Sequence, residues 1–547
     1  MKTKYLLFGI VVIAIFLRFF QLSSVPPSPS LDEVSIGYNA FSIIKTGADE
    51  FGNKFPVLLR AYDDWRPALY VYTVIPFVKI FGLNVLAVRL PSAILSVLSV
   101  FATFFLAKEL FKKKNVAIGL FSALLLAISP WHVYISRLGH EANLAISCLI
   151  FGLCFFFKYK NNLGKPKFLY LASFFFALSF DSYQSTKIVV PLVVAVLFLI
   201  YFKELIARKK SIILASLLGV VLCVPILFYS FSPNGLIRFK ATNLFSSNPQ
   251  LIEKSAKQVL EDKQNKNYIG MFIHNRRVYY SILFSQAYLS HLSPFWLYIP
   301  TVDAQFKVPN FSLFYFFEFP LLVFGFFIFT KISNKKNLLF LILWMLLAII
   351  PGAISNGYPH AMRIFNLLPA PQIIEAGALI YLLTYLKEKF GVLGKIIIFL
   401  SLFLSIVNFS ISYFIFFPKD LSSQFQYGVI QSLKEAKSIE GNYKSVIVSN
   451  QKNLSQSYMY YLFSQSYDPK LYQKNGGTIS GGYDANHKIG NFYFEDIKSA
   501  SHSGSLLVID ASDFKKKEMK IIKKIHFLDG KDAIYLVKDK NSTSINK

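Results

Sequence analysis

Leu31-Asp32-Glu33-Val34-Ser35-Ile36-Gly37-Tyr38 places two adjacent carboxylates just past a hydrophobic run. The run covers 5–22, and the turn Val25-Pro26-Pro27-Ser28-Pro29-Ser30 separates the two stretches. If the run crosses a bilayer, Asp32 and Glu33 stand at the membrane surface. Such a pair can take a proton from an acceptor hydroxyl or hold a cation. It can equally be two solvated loop acids, and the rest of the chain must separate the readings.

Composition sets the solvent. Of 547 residues, 54% are hydrophobic and only 16% are charged, with a mean hydropathy of +0.45. That balance marks a polytopic membrane protein. The 57 Phe and 31 Tyr suit lipid-facing helices with aromatic belts at the interfaces. A net charge of +28 would raise nucleic acid as a partner for a soluble chain. Here Lys and Arg sit in short clusters between apolar runs, as in cytoplasmic loops, so nucleic-acid binding is not expected. Cys148, Cys154 and Cys223 all lie inside apolar runs, which argues against structural disulfides and thiolate metal sites. The first run lacks a clean small-x-small cleavage site and reads as a retained transmembrane helix.

A span needs roughly 20 helical residues to cross about 30 Å of hydrocarbon. Basic clusters occur at Lys2/Lys4, Lys112-Lys113-Lys114, 158–167, Arg208-Lys209-Lys210, 331–336 and 387–395. Placing all of them in the cytoplasm requires an even number of crossings between neighbours, and the pattern closes. The spans are 5–22, 84–108, 116–133, 142–157, 168–181, 187–203, 211–230, 312–330, 337–352, 364–386 and 396–417. This predicts about eleven transmembrane helices, with the N-terminus cytoplasmic and the C-terminus outside. The segment 67–81 is apolar but holds Pro67, Pro76 and Lys79, and reads as a helix lying in the outer interface.

Beyond 417 the composition turns polar. Short strands are predicted at 443–450, 504–510 and 533–538, and helices at 421–438 and 454–465. The domains expected are therefore 1–417, with an external loop 23–83, and a small soluble extracytoplasmic α/β domain at 418–547.

Four clusters on the outer side can carry chemistry beyond Asp32 and Glu33. The long first loop holds Arg66, together with Asp63 and Asp64, which read as solvated acids. Arg137 and Glu141 are spaced i, i+4 and can pair on one helix face, or Glu141 can face the same cavity as Asp32. Tyr183 and Gln184 precede Lys187, which opens a span; Lys187 either snorkels to the interface or binds an anionic phosphate. His360 and Arg363 are spaced i, i+3 at the expected start of a helix, where an anion is favoured. Neither a Gly-rich phosphate loop nor a His/Cys metal spacing is present in the sequence.

At these residues the chain resembles the GT-C superfamily of polyprenyl-phosphate-sugar-dependent glycosyltransferases. It is most like the bacterial protein-mannosyltransferase group that includes the aminoarabinose transferases. The matching pieces are Asp32-Glu33 with Gly37-Tyr38, Arg66-Pro67-Ala68-Leu69-Tyr70, Phe81-Gly82 and Val88-Arg89-Leu90-Pro91-Ser92. They continue with 137–141, Ser182-Tyr183-Gln184-Ser185 and 360–369. The resemblance covers roughly 1–417 and, weakly, the C-terminal domain. It implies a multi-pass glycosyltransferase of the plasma (cytoplasmic) membrane, in which the acidic residue of the first external loop is the base. Carried over, Asp32 is that base and Glu33 its partner or alternate. The resemblance further implies a lipid-phosphate-linked sugar donor, an attacking hydroxyl on a protein, lipid or glycan acceptor, and inversion at the anomeric carbon. Positive charge must then meet the leaving phosphate. Lys187 and Arg363 are the first candidates, with His360, Tyr183, Arg137 and Arg66 behind them, and Glu141 positioning the acceptor. No cofactor or obligatory metal is implied, although paired acids leave room for a divalent cation.

A transporter or lipid-glycan flippase is the competing class, and a glycan ligase a third. A transporter more often shows repeated halves and charges deep within its spans. Here the charges gather at the outer helix ends, which suits a one-sided reaction on a membrane lipid.

Overall fold

The computed structural model describes residues 2–111, 115–245, 249–300, 306–482, 485–497 and 504–539. The basic cluster Lys112-Lys113-Lys114 lies outside the described residues. The chain divides into two compact units, one of residues 1–18, 95–135 and 141–409, the other of residues 19–94, 136–140 and 410–547.

The first unit is helical. Each of the eleven expected spans coincides with helix, but fewer pass on length and composition alone. Among the described residues five helices do, namely Val85–Leu110, Glu141–Asn161, Lys209–Ser230, Lys335–Ala353 and Ala370–Asp420. Asn115–Ile128 and Pro130–Ser136, bent by 59°, make a sixth if taken as one span. The expected spans 364–386 and 396–417 meet at Gly391, whose φ of +61° and ψ of −134° only glycine adopts without strain. The first of them starts at Ala370 rather than 364. Pro369 disfavours a helical conformation at Leu368, and the preceding residues form only a short 3₁₀ turn at Phe365–Leu367.

Polar side chains inside this unit are tied to neighbouring helices, as burial in an apolar medium requires. Ser99 donates to Ser147 at 2.8 Å, Ser179 to the Ala145 carbonyl at 2.7 Å, and Tyr201 to Asn337 at 2.6 Å. Arg18 is fully buried and donates to the carbonyls of Ala127 at 2.8 Å and Leu126 at 3.3 Å, with His132 Nδ1 at 2.7 Å.

The second unit brings the first loop together with the C-terminal residues. Helix Leu31–Thr46 starts with a capping box: Ser30 accepts the Glu33 N–H, and Glu33 accepts the Ser30 N–H at 2.8 Å. A hairpin follows, with Leu58–Ala61 antiparallel to Asp64–Pro67. Its two turn residues, Tyr62 and Asp63, both have positive φ, matching the right-handed twist of the strands. Helix Leu69–Phe81 buries Tyr70, Val71, Val74 and Val78 along one stripe. At 13 residues it is too short to cross a bilayer by itself.

The C-terminal residues form a six-stranded mixed sheet. Its order is His487–Ile489, Phe492–Glu495, Val446–Ser449, Leu506–Asp510, Asp532–Asp539, Met519–His526. The central pairs, Val446–Ser449 with each of its neighbours, are parallel, and the outer pairs antiparallel. The three predicted strands stand third, fourth and fifth in that order. Edge strand Met519–His526 and the hairpin of His487–Ile489 with Phe492–Glu495 lack continuous apolar runs, because one face of each meets water. Helices Val429–Ile439 and Ser457–Ser464 complete this part.

Ser457–Ser464 packs on Leu31–Thr46 at Gly37, where an added Cβ would come within 2.6 Å of the Phe463 ring. Around that close approach, Tyr460 OH donates to the Pro29 carbonyl at 3.0 Å and Tyr38 OH to the Tyr467 carbonyl at 3.2 Å. Gln473 Nε2 reaches Ser42 Oγ at 3.0 Å and the Asp49 carbonyl at 2.8 Å. The loop is thus held by the C-terminal residues as well as by its own hairpin.

Candidate active site

Asp32 and Glu33 are consecutive in the first turn of helix Leu31–Thr46, so about 100° of rotation separates their side chains. That rotation gives them opposite surroundings. Asp32 keeps 49% of its side chain exposed, whereas Glu33 keeps 1%.

Glu33 is saturated. Arg89 Nε donates to Oε1 at 2.6 Å and Nη2 to Oε2 at 3.1 Å. The N–H of Ser30 reaches Oε2 at 2.8 Å and that of Gly139 reaches Oε1 at 2.9 Å. Burial alone would raise this carboxyl, but the charge and hydrogen bonds of Arg89 and the two amides outweigh it and hold it below the usual range. Arg89 spends its remaining donors on the carbonyls of Leu22 and Pro26 at 3.0 Å and Ser28 at 2.9 Å. The pair therefore fixes the turn that precedes the helix.

Asp32 is half exposed. Arg66 Nη1 donates to Oδ1 at 2.9 Å, and His140 Nε2 lies 3.8 Å from Oδ2. Arg66 is 3% exposed and stands in strand Asp64–Pro67 opposite Leu59. The hairpin thus delivers a buried guanidinium to a half-exposed carboxylate. Asp63, read from sequence as a solvated acid, instead pairs with Arg60, whose Nε lies 3.0 Å from Oδ1.

Arg137 does not share a helix with Glu141. It follows helix Pro130–Ser136, and Glu141 begins the next helix, Glu141–Asn161. The two therefore do not stand on one face of a single helix, because the chain turns between them. Arg137 donates from Nη2 to the carbonyls of Phe20 and Val25, both at 2.8 Å, and its guanidinium lies 5.0 Å from the Phe414 ring centre. Glu141 is 2% exposed at a helix N-terminus, where the dipole favours a negative charge.

The remaining candidates lie in the first unit. A cavity of about 320 Å³ is lined by Tyr183, Gln184, Lys187, Ser230, Asn243 and Arg363, among others. Lys187 stands in the first turn of Thr186–Ile200 and donates to Ser230 Oγ at 2.7 Å. Arg363 donates to the Asn356 carbonyl. His360 does not line this cavity. Its N–H donates to His291 Nε2 at 3.1 Å and its ring packs 5.1 Å from that of Phe306. Nor does it start a helix with Arg363, since residues 361–364 form a turn. A second cavity of about 400 Å³ runs between helices Lys167–Ser182, Thr186–Ile200 and Lys209–Ser230. Its lining is almost wholly apolar, and Phe180 borders both cavities.

Among the described residues no group of three or more His, Cys, Asp or Glu side chains is arranged to hold a metal ion. Sequence reasoning assigned no role to Arg89, His140 or Glu50. Arg89 carried a signal, an arginine inside an apolar run, and the structure shows its partner 56 residues away.

Residues 66–229 match the model of the family described as dolichyl-phosphate-mannose-protein mannosyltransferase. No curated protein matches the chain in sequence. Among solved structures the chain is similar to ArnT from Cupriavidus metallidurans bound to undecaprenyl phosphate. The identity is 12%, the match covers 97% of each chain, and the TM-score is 0.56. The apo form of that protein matches over 98% of each chain with a TM-score of 0.55. The chain is also similar to the Archaeoglobus fulgidus oligosaccharyltransferase tethered with an acceptor peptide, at 13% identity and a TM-score of 0.51. That match covers 84% of this chain and 63% of the archaeal one, so this chain spans less than two thirds of its length. These likenesses show a shared fold. The chain is thus similar to the dolichyl-phosphate-mannose-protein mannosyltransferase family over 66–229, and it shares its fold with ArnT over nearly its whole length.

Proposed function

We propose that the protein moves a sugar from a polyprenyl-phosphate donor to an acceptor hydroxyl at the outer membrane face, with inversion, and that Asp32 is the general base. The observation that carries this reading is the division between two neighbouring carboxylates. Glu33 has every oxygen occupied and no solvent access. Asp32 has the Arg66 guanidinium on one oxygen, and about half of its side chain is exposed. A base must reach its substrate and must be charged when it does so. Asp32 is half exposed and paired with a guanidinium, whereas Glu33 is sealed with Arg89.

In the proposed step the acceptor O–H passes its proton to Asp32. The acceptor oxygen bonds to the anomeric carbon, and the bond from that carbon to the phosphate oxygen breaks. Polyprenyl phosphate leaves with the electron pair, and Asp32 later releases its proton to water. One displacement inverts the carbon. The leaving phosphate already carries negative charge and needs cations rather than an acid. Lys187 and Arg363 suit that role, because both line one polar cavity. The apolar cavity bordered by the same Phe180 suits an isoprenoid chain. Arg137, His360 and Glu141 take supporting rather than donor-binding roles in this reading, since each is buried and none lines the polar cavity.

The test uses purified protein in lipid nanodiscs with radiolabelled polyprenyl-phosphate sugars, mannose first. Transfer to membrane extract, or release of free sugar, is expected from the native chain. Asp32→Asn is expected to lower the rate about 10²–10⁴-fold while donor binding persists. Unchanged turnover in that variant would overturn the assignment. Movement of lipid-linked glycan between leaflets, with no turnover of any donor, would favour transport.

A further inference from the structure

Helix Tyr268–Ile273 turns its large apolar side chains away from the protein. At about 100° of rotation per residue, Tyr268, Ile269, Phe272 and Ile273 fall within roughly 140° on one face. Tyr268 is 77% exposed, Ile269 and Phe272 each 74%, and Ile273 51%. Their outward aim is built in. Gly270, on the far side, is buried, and a Cβ there would collide with Asp262 Oδ1 and Asn267 Nδ2. Asp262 Oδ1 accepts from Asn267 Nδ2 at 3.0 Å, and Oδ2 lies 2.6 Å from His274 Nδ1. Ser255 Oγ donates to the His274 carbonyl at 2.6 Å. Both ends of the short helix are thereby tied to helix Pro249–Gln264, and the apolar face is left outside.

Large apolar residues so exposed and so contiguous mark a surface that something else covers. Two observations identify the cover. The first is charge. Lys263, Lys266, Arg276 and Arg277 flank the face in sequence, all are exposed, and none forms an ion pair among the described residues. Between 261 and 277 Glu261 is the single exposed acid, since Asp262 is turned inward onto His274. The second is continuity with a membrane span. Helix Arg276–Leu292 begins three residues later and packs on Lys335–Ala353, which is long and apolar enough to cross a membrane. Ala287 shares a buried cluster with Ala353, and Tyr288 OH donates to the Leu346 carbonyl at 2.8 Å. Ile282 and Leu289, seven residues apart and so on one side of this helix, are 46% and 63% exposed.

We propose that Tyr268–Ile273 is a membrane-surface anchor. Its apolar face enters the headgroup boundary of the bilayer that holds Lys335–Ala353, and the basic residues beside it bind anionic phospholipid. Aromatic rings suit that boundary. An apolar face with a basic rim binds there by burial and by attraction to anionic headgroups. The anchor belongs to the loop that supplies Leu236 and Asn243 to the polar cavity, and it holds that loop to the bilayer. The inference stands whether or not Asp32 is the base.

The experiment places the photocrosslinking residue p-benzoylphenylalanine at Phe272 of the full chain. Glu253, exposed near the start of Pro249–Gln264, is the control position. Each chain is irradiated in nanodiscs of phosphatidylcholine and phosphatidylglycerol in equal parts, and adducts are identified by mass spectrometry. Lipid adducts at 272 are expected to exceed those at 253 by about 10-fold or more, with phosphatidylglycerol favoured. The triple variant Lys266→Gln, Arg276→Gln, Arg277→Gln is expected to cut phosphatidylglycerol adducts about 5-fold or more. Adducts at 272 confined to protein, or lipid adducts no more frequent than at 253, would overturn the anchor. Equal capture of both lipids, unaltered in the triple variant, would overturn the anionic-lipid assignment. If the chain labelled at Phe272 does not fold, Ile269 carries the same test.

Discussion

Arg89 grips Glu33 at two points, Nε to Oε1 at 2.6 Å and Nη2 to Oε2 at 3.1 Å, with both side chains sealed from solvent. The same guanidinium ties three carbonyls of the turn at 22–28. Helix Leu31–Thr46 therefore starts at a fixed place, and that pair holds Asp32 in its first turn.

Breaking that pair from one side leaves a buried charge without its counterion. Arg89→Met is expected to destabilise the protein by about 3–5 kcal/mol, read by denaturant unfolding in detergent. The double variant Arg89→Met with Glu33→Leu is expected to lose less than the single one, because no charge is stranded.

Glu50 gives the stability a pH dependence of definite sign. Its carboxyl lies at about 7 in the fold, above the usual 4.5. The folded state holds this proton more tightly, so the contribution is full below pH 4.5 and is lost as pH rises through 7. The loss amounts to about 3 kcal/mol at most. Thermal unfolding across that range is expected to show the decline in the native chain and its absence in Glu50→Gln.

Lys187 and Arg363 line one polar cavity. If they meet the donor phosphate, Lys187→Ala and Arg363→Ala each remove a charge-assisted contact of about 1.5–3 kcal/mol. Donor KM is then expected to rise roughly 10–100-fold in each. Unchanged donor affinity would contradict the role.

At Gly37 the helix backbone meets the Phe463 ring, with 2.6 Å available to an added Cβ. Gly37→Val is expected to destabilise by about 1–3 kcal/mol through overpacking. Faster amide exchange in both Leu31–Thr46 and Ser457–Ser464 would locate the effect.

Apolar runs and basic clusters made the helical part legible in sequence, because bilayer thickness and charge bias act on long stretches. The central strands of the C-terminal sheet were legible for a related reason: Val446–Ser449 and Leu506–Asp510 are buried along their whole length. The edge strands were not, since half their positions meet water. The acidic pair Asp32-Glu33 stood out in sequence from its place after the first apolar run. The separation of the two was not legible, because it depends on helix rotation and on Arg89, 56 residues away. Arg137 read as a cation for an anion, but it donates to backbone carbonyls of the turn at 20–25. No sequence spacing encodes that. Glu50 was visible only as one of two loop acids, and its burial depends on Thr478 from the far end of the chain.

The central claim is that Asp32, and not Glu33, takes the acceptor proton. Single-turnover sugar transfer by Asp32→Asn and Glu33→Gln, each corrected for its folded fraction, tests it most directly. Asp32→Asn is expected to be fully folded and slower by about 10²–10⁴-fold, while folded Glu33→Gln transfers at nearly the native rate. A folded Asp32→Asn protein with native turnover, or a folded Glu33→Gln protein with none, would contradict it.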